Sequence, residues 1–287
     1  MKVAVIGAGL MGLPMAARLL DAGHEVTVYT RTAARLEPLR ARGARIAPSG
    51  PAALAAADCA ILMLRDGPAT LRTLFEAPVP PDFAGRTVIQ MGTIAPGESL
   101  DLHRRVTVSG GDYLEAPVLG SIPQVEAGQL AVLVGATEEQ FARWEPLLKI
   151  FSPRPRLLGP VGQAALAKLA FNQLMASHIA AFSLALGLIR RSGLDPDQFM
   201  DILRGTVLYA PVVDRKLDLL QRRAFTDPHF TTSTLLKDIN LMMDAAHSAG
   251  LNPLALEGVR NALATATQTG HADEDYASIY EVIDPRT

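Results

Sequence analysis

The sequence predicts an α/β chain, with a doubly wound parallel sheet at the N-terminal end followed by an all-helical C-terminal domain. Three observations lead there. From Lys2 to Gly159, short apolar runs rich in β-branched residues alternate with stretches of helical spacing. A glycine-rich turn joins the first run to the first helix. From Gly162 onward the strand signals stop and helical periodicity continues to the end.

Lys2 to Ile6 reads as a strand, Leu13 to Asp21 as a helix stopped by Gly23, and Glu25 to Tyr29 as the next strand, which completes a β-α-β unit. Arg35 to Arg42 (helix), Ala44 to Ile46 (strand) and Gly50 to Ala56 (helix) continue the alternation. Cys59 to Leu64 is wholly apolar, as a parallel strand covered on both faces must be. Thr87 to Met91, Asp112 to Leu114 and Leu130 to Val134 read as further strands, and Glu138 to Ile150 as an amphipathic helix. Pro153 and Pro155 then break the pattern, so the first domain is expected over 1–161. Helices are expected at 163–192, 195–204, 209–222, 231–249 and 253–267, inside a second domain over 162–287.

With 287 residues, 49% hydrophobic and 20% charged, the chain can bury a large core, which excludes a disordered protein. The net charge of −2 is spread without a Lys/Arg block, so no nucleic-acid footprint is present. Cys59 is the one cysteine and the six histidines are dispersed, so neither an intrachain disulfide nor a metal site is legible, and a cytoplasmic location fits best. Met1 to Leu20 faintly resembles a signal peptide, but its pattern is weak. Leu169 to Ile189 has no charged side chain and is long enough to span a bilayer. Its polar residues Asn172, Gln173, Ser177, His178 and Ser183 would be costly in lipid, so a helix buried between protein surfaces is expected, with no membrane partner. So apolar a helix would be exposed in a monomer, which points to a homodimer or homotetramer.

Gly7-Ala8-Gly9-Leu10-Met11-Gly12 has G-x-G-x-x-G spacing directly between a strand and a helix, the Rossmann fingerprint. The first glycine permits the turn, the second lets a pyrophosphate approach the backbone, and the third allows close helix-strand packing. The helix N-H groups then face the anion. An acidic residue at the end of the second strand would bind the ribose of NAD, but here that strand ends Tyr29-Thr30-Arg31-Thr32. Arg31 offers a guanidinium to a phosphate, and Thr30 and Thr32 offer hydroxyls, which favours NADP; an ordinary solvated arginine is the alternative. Met63 and Leu64, at the end of the apolar strand, are expected as further cofactor contacts.

Lys168 and Asn172 lie one turn apart on one face of the long helix, among apolar neighbours. A lysine there needs a cleft, a partner or a depressed pKa suited to proton transfer; a lysine snorkelling to solvent is the alternative.

Taken together, these segments resemble the β-hydroxyacid dehydrogenase family over nearly the whole chain. The glycine loop is followed by Met15-Ala16 and Gly23-His24. A substrate motif appears as Glu115-Ala-Pro-Val-Leu-Gly120-Ser121 with Gly128 after it, and a catalytic motif as Gly162 to Asn172. Lys237-Asp238 matches a fourth motif, and Thr93 with Pro96 a loop close to the nicotinamide. The resemblance implies that Lys168 is the general acid in reduction, that Asn172 orients substrate, and that Ser121 with the Gly120 backbone binds a carboxylate. It adds Lys237 and Asp238 at the site, with Lys237 also near the cofactor, and Phe230 closing over substrate; a surface lysine and a core phenylalanine are the alternatives. Glu-Ala-Pro-Val, Gly-Ser, Pro123 and Gly128-Gln-Leu resemble the glyoxylate and succinic semialdehyde reductase branch.

One position departs from the family: Leu119 stands where a serine is usual, so the substrate is expected to be larger or less polar than glyoxylate. The expectation is an NADPH-dependent reductase of a small aldehyde or 2-oxoacid, with its active site in a cleft between the domains. A 3-hydroxyisobutyrate-type dehydrogenase, an imine reductase and a non-catalytic nucleotide-binding scaffold are the rival readings; retention of Lys168 counts against the last two.

Overall fold

The computed structural model describes residues 1–77 and 80–286. Thr287, the last residue of the expected second domain, lies outside them. The chain divides into two compact units, Met1–Lys168 and Leu169–Thr287. The division falls inside a helix, seven residues past the expected 161/162 boundary.

The first unit runs β1 (Lys2–Ile6), α1 (Gly12–Asp21), β2 (Glu25–Tyr29), a 3-10 turn (Ala33–Leu36), α2 (Glu37–Ala41), β3 (Arg45–Ile46), α3 (Gly50–Ala55) and β4 (Cys59–Leu62). It continues with α4 (Gly67–Phe75), β5 (Thr87–Gln90), α5 (Pro96–Val108), β6 (Asp112–Glu115), β7 (Val118–Leu119), α6 (Ile122–Ala127), β8 (Ala131–Gly135), α7 (Glu138–Leu148) and β9 (Arg156–Gly159). The sheet order is β3-β2-β1-β4-β5-β6-β8-β7, with β9 paired to β8. Strands β1 to β6 pair in parallel, and β8 runs antiparallel to β6 and β7. The order reverses at β1, so the crevice outside the carboxyl ends of β1 and β4 is where such a sheet takes a ligand.

Central strands β1, β4 and β5 are buried almost throughout, which is why they read as unbroken apolar runs. Cys59 is wholly buried in β4, and burial pushes its thiol up to about 12, so it packs as an inert small hydrophobe. Met15, Ala16 and Leu19 seat α1 on one face of the sheet with Val3, Val5, Val26 and Val28; Leu54, Leu74, Leu102 and Val106 cover the other with Ala4, Ile6 and Leu62.

Five elements of the first unit escaped the sequence reading, the two-residue β7 among them. Helix α4 is announced by Asp66, which accepts from the Ala69 N-H at 2.7 Å, with Pro68 in the first turn. Helix α5 starts at Pro96, where Glu98 accepts from the Ala95 N-H at 2.8 Å. The short α6 follows Ser121. Pro153 and Pro155 end a helix but not the sheet, because β9 begins one residue after Pro155 and pairs in parallel with β8.

Helix α8 (Gln163–Arg191) opens in the first unit and continues into the second. The second unit adds α9 (Pro196–Arg204), α10 (Pro211–Arg222), α11 (Thr232–Ser248), α12 (Leu254–Ala266), a π turn (Thr267–His271), a 3-10 turn (Tyr276–Ser278) and α13 (Ile279–Ile283). By length and composition α8 is apolar enough to cross a membrane. Leu169, Ile179 and Leu186 are buried, and so are the polar Asn172 and Ser183. Leu166, Phe171, Leu174, Leu184 and Leu188 are exposed in the single chain.

Candidate active site

Each glycine of the loop between β1 and α1 has its own geometry. Gly7 has φ +104°, and a Cβ there would lie 2.3 Å from the Met63 carbonyl oxygen and 3.0 Å from Leu64 Cδ2. A Cβ on Gly12 would lie 2.0 Å from the Gly7 carbonyl oxygen. Around Gly9, by contrast, nothing lies within 4 Å of that position. Gly9 and Leu10 are exposed, Met11 half-buried, and among the described residues no side chain caps α1. Two glycines therefore pack the loop against β4, and the third leaves backbone N-H groups open to an incoming phosphate.

At the end of β2 lies an open groove of about 380 Å³ lined by Tyr29, Thr30, Arg31, Arg40, Ile46, Ala47 and Pro48. Two guanidiniums face it without a lining carboxylate, beside apolar walls from Ile46 and Pro48. Arg40 is loosely paired with Glu37 at 3.6 Å, both well exposed. Thr32, also exposed, begins the 3-10 turn next to this groove but does not line it. The set suits a sugar phosphate with a flat base.

Beside the glycine loop, the ends of β4 and β5 come together. A Cβ on Gly92 would lie 2.6 Å from the Leu64 carbonyl oxygen, so the chain just before the half-buried Thr93 runs against the Leu64 backbone. Gly120 has φ +129°, and a Cβ there would meet Leu130 Cδ2 at 2.7 Å. Ser121 turns both its donors to one atom: its N-H (2.9 Å) and its hydroxyl (2.7 Å) reach Gln124 Oε1.

Glu115 closes β6 and is buried, yet every contact it makes is as an acceptor. Its Oε1 accepts from the backbone N-H groups of Gly162 (2.8 Å), Ala164 (2.8 Å) and Ala165 (3.0 Å), at the start of α8. Its Oε2 accepts from Ser99 Oγ at 2.5 Å, and Ser99 Oγ lies 2.8 Å from the Tyr113 hydroxyl. Burial pushes the Glu115 carboxyl above its ordinary value, against four hydrogen bonds that favour the charged form. Lys168, half-buried, comes one turn after Ala164.

In the second unit, Asn172 is buried and its Nδ2 donates to Asp238 Oδ2 at 2.6 Å. Lys237 Nζ lies 2.6 Å from Asp238 Oδ1, with only 15% of the lysine side chain exposed. Asn172, Lys237 and Asp238 are therefore brought together around one buried carboxylate. Phe230 instead packs edge-on against Tyr276, ring centres 5.8 Å apart, and Tyr276 carries the Lys216 ammonium on its face at 4.6 Å.

Sequence reasoning missed Arg40, Ser99 and Gln124, and saw Glu115 only as part of a motif. Arg40 and Gln124 carried no signal, being polar residues on short helices. Glu115 had one: Gly159-Pro-Val-Gly162 before α8 contains no Ser, Thr, Asp or Asn, so its cap had to come from elsewhere.

Loop, groove and strand ends make the first unit a nicotinamide-dinucleotide-binding domain of an oxidoreductase. Comparison with known proteins agrees. Residues 2–159 match the family model for the NAD binding domain of 6-phosphogluconate dehydrogenase, and residues 162–283 match the NAD-binding model of NADP-dependent 3-hydroxyisobutyrate dehydrogenase. Glyoxylate/succinic semialdehyde reductase 1 of Arabidopsis thaliana is 29% identical over 285 residues, covering 99% of this chain and 98% of the relative. 2-Hydroxy-3-oxopropionate reductase of Escherichia coli is 29% identical over 286 residues, covering 99% and 97%. The structure of Mycobacterium tuberculosis 3-hydroxyisobutyrate dehydrogenase with L-serine superposes with a TM-score of 0.87 at 26% identity, covering 98% of each chain. The chain belongs to the β-hydroxyacid dehydrogenase family of NAD(P)-dependent oxidoreductases, with the glyoxylate reductase branch among its relatives.

Proposed function

We propose that this enzyme reduces a small aldehyde or 2-oxoacid to the hydroxy compound with NADPH, and that Lys168 supplies the proton. The observation that carries the reading is the buried Asp238 carboxylate. It fixes the Asn172 amide at 2.6 Å and the Lys237 ammonium at 2.6 Å, and Asn172 lies one turn along α8 from Lys168. A side chain so held is pre-organised to orient a ligand.

NADPH supplies the hydride when bound. Lys168 Nζ gives its proton to the carbonyl oxygen as negative charge develops there, and recovers one from solvent afterwards. Gly120 and Ser121 in the first unit, and Phe230, Lys237 and Asp238 in the second, are the substrate contacts of this reading. Gly7, Gly9, Leu10, Met11 and Gly12 receive the pyrophosphate, with Met63, Leu64 and Thr93 beside the nicotinamide end. The preference for NADPH rests on Arg31, Arg40 and the hydroxyls of Thr30 and Thr32 at the end of β2. Leu119 favours less polar carbonyl compounds than glyoxylate. The exposed leucines and Phe171 of α8 favour a homodimer or homotetramer, to be read from the particle mass by light scattering.

The test is the decay of NADPH absorbance, with NADH in parallel, on glyoxylate, succinic semialdehyde and neutral aldehydes and imines, wild type beside Lys168→Ala. Carbonyl reduction with NADPH that falls at least about 100-fold in the variant is the expected result. Equal rates in the two proteins would remove Lys168 as the acid, and reduction of imines alone would replace the carbonyl reading.

A further inference from the structure

The start of α8 has no cap of its own. Pro160, Val161 and Gly162 offer no side-chain acceptor, and Gly162 takes φ +102° to turn into the helix. A 29-residue helix beginning this way leaves first-turn N-H groups to be satisfied elsewhere. Glu115 Oε1 takes three of the N-H groups there, those of Gly162, Ala164 and Ala165, from a position 47 to 50 residues earlier in the chain. The carboxylate is also the anion that the positive end of the helix dipole favours.

The other oxygen reaches in a second direction. Ser99 lies in the first turn of α5 and is wholly buried. Its one hydroxyl hydrogen goes to Glu115 Oε2, so toward Tyr113 it acts as an acceptor. Burial pushes the Tyr113 hydroxyl up, which keeps it a donor. Thr93 and Pro96 lead into the same α5, and a Cβ on Gly162 would touch Leu100 of that helix at 3.8 Å. Gly135 has no side chain where one would meet Glu115 Oε1 at 2.4 Å, so the carboxylate is boxed in from β8 as well. Glu115 thus ties the helix after the Thr93 loop to the helix that carries Lys168.

We infer that Glu115 is a positioning residue for the reduction: through its grip on the first turn of α8 it sets where the Lys168 ammonium stands, with Ser99 holding the carboxylate in place. Lys168 follows Ala165 by three residues, about 4.5 Å along the helix axis, so a slip or fraying of the first turn moves the proton donor directly. This rests on the reading of Lys168 as the acid. The four hydrogen bonds of Glu115 all go to protein groups, so its action runs through the helix.

The variants are Glu115→Gln and Ser99→Ala. In Glu115→Gln the charge is lost and an NH2 group meets the Ser99 hydroxyl, while a carbonyl oxygen can still accept from the helix. Ser99→Ala leaves the helix contacts intact. For Glu115→Gln we expect kcat to fall about tenfold with the NADPH KM unchanged, and the solvent deuterium isotope effect on kcat to rise as proton transfer becomes limiting. Ser99→Ala moves the same quantities less. Hydrogen exchange at the amides of residues 162–168 should quicken about tenfold in Glu115→Gln while the amides of α1 stay as they were. A loss of kcat with the isotope effect unchanged would reflect fewer folded molecules and would overturn the inference, as would unchanged exchange at 162–168. If the wild type reduces no carbonyl compound, or Lys168→Ala is as fast as wild type, the reduction reading fails on its own. The exchange measurement then still decides whether Glu115 holds the helix.

Discussion

Two helices that open beside glycines in the first unit, α1 and α8, treat their positive ends in opposite ways. At α1 the exposed Gly9 leaves open space, and no side chain caps the end among the described residues. At α8 the protein brings its own buried anion, Glu115, onto three N-H groups. Both ends need negative charge for the same electrostatic reason. One is left accessible so that a ligand can bring it; the other is filled so that the helix cannot shift. Binding and positioning are thus two uses of one backbone property, separated by whether a side chain reaches the helix end.

The comparison breaks most severely at Gly12, where any side chain collides with the Gly7 carbonyl at 2.0 Å. Gly12→Ala should force the start of α1 away from the loop after β1, with a loss of about 3 kcal/mol or more in urea unfolding and no measurable NADPH binding. Gly9→Asp makes α1 resemble α8 by giving it an internal carboxylate. Open space around Gly9 predicts a melting temperature within about 2 °C of wild type, but NADPH affinity lower by about 100-fold in fluorescence titration. If that variant binds NADPH normally, the open end of α1 is not the phosphate site. The smallest effects belong to the groove at the end of β2. Arg31→Ala should raise the NADPH KM about tenfold and leave the NADH KM unchanged, and Arg40→Ala should do so by a lesser factor because Glu37 already engages it. Equal effects on both cofactors would place the ribose phosphate elsewhere.

The same contrast explains what could be read in advance. The α1 end was legible because everything it needs lies within six consecutive residues between a strand and a helix. The apolar runs of β1, β4 and β5 were legible because burial on both faces leaves no alternation to misread. Glu115 was visible only as a letter in a motif, since its partners are backbone N-H groups far along the chain, and backbone groups leave no mark in a sequence. Asp238 was legible as a member of a motif, but that its buried carboxylate gathers Asn172 and Lys237 was not, because the contact with Asn172 joins positions 66 residues apart. The strand after Pro155 was missed because proline was read as ending the pattern, although it is compatible with the residue before a strand. Helix α4 could have been found from Asp66-Gly-Pro, a cap followed by a first-turn proline.

Ser121 gives both of its hydrogens to Gln124 Oε1, and the backbone N-H at 2.9 Å requires that atom to be the oxygen of the amide. A substrate carboxylate seeking the Ser121 hydroxyl therefore enters as a competitor with Gln124 for a proton already in use. Displacing that bond costs about 1 kcal/mol before any new one is counted. A substrate without a carboxylate makes no such demand on that proton. Under the proposed reading, Gln124 in the first turn of α6 would act with Leu119 to disfavour a carboxylate at Ser121, by subtraction rather than by any new attraction.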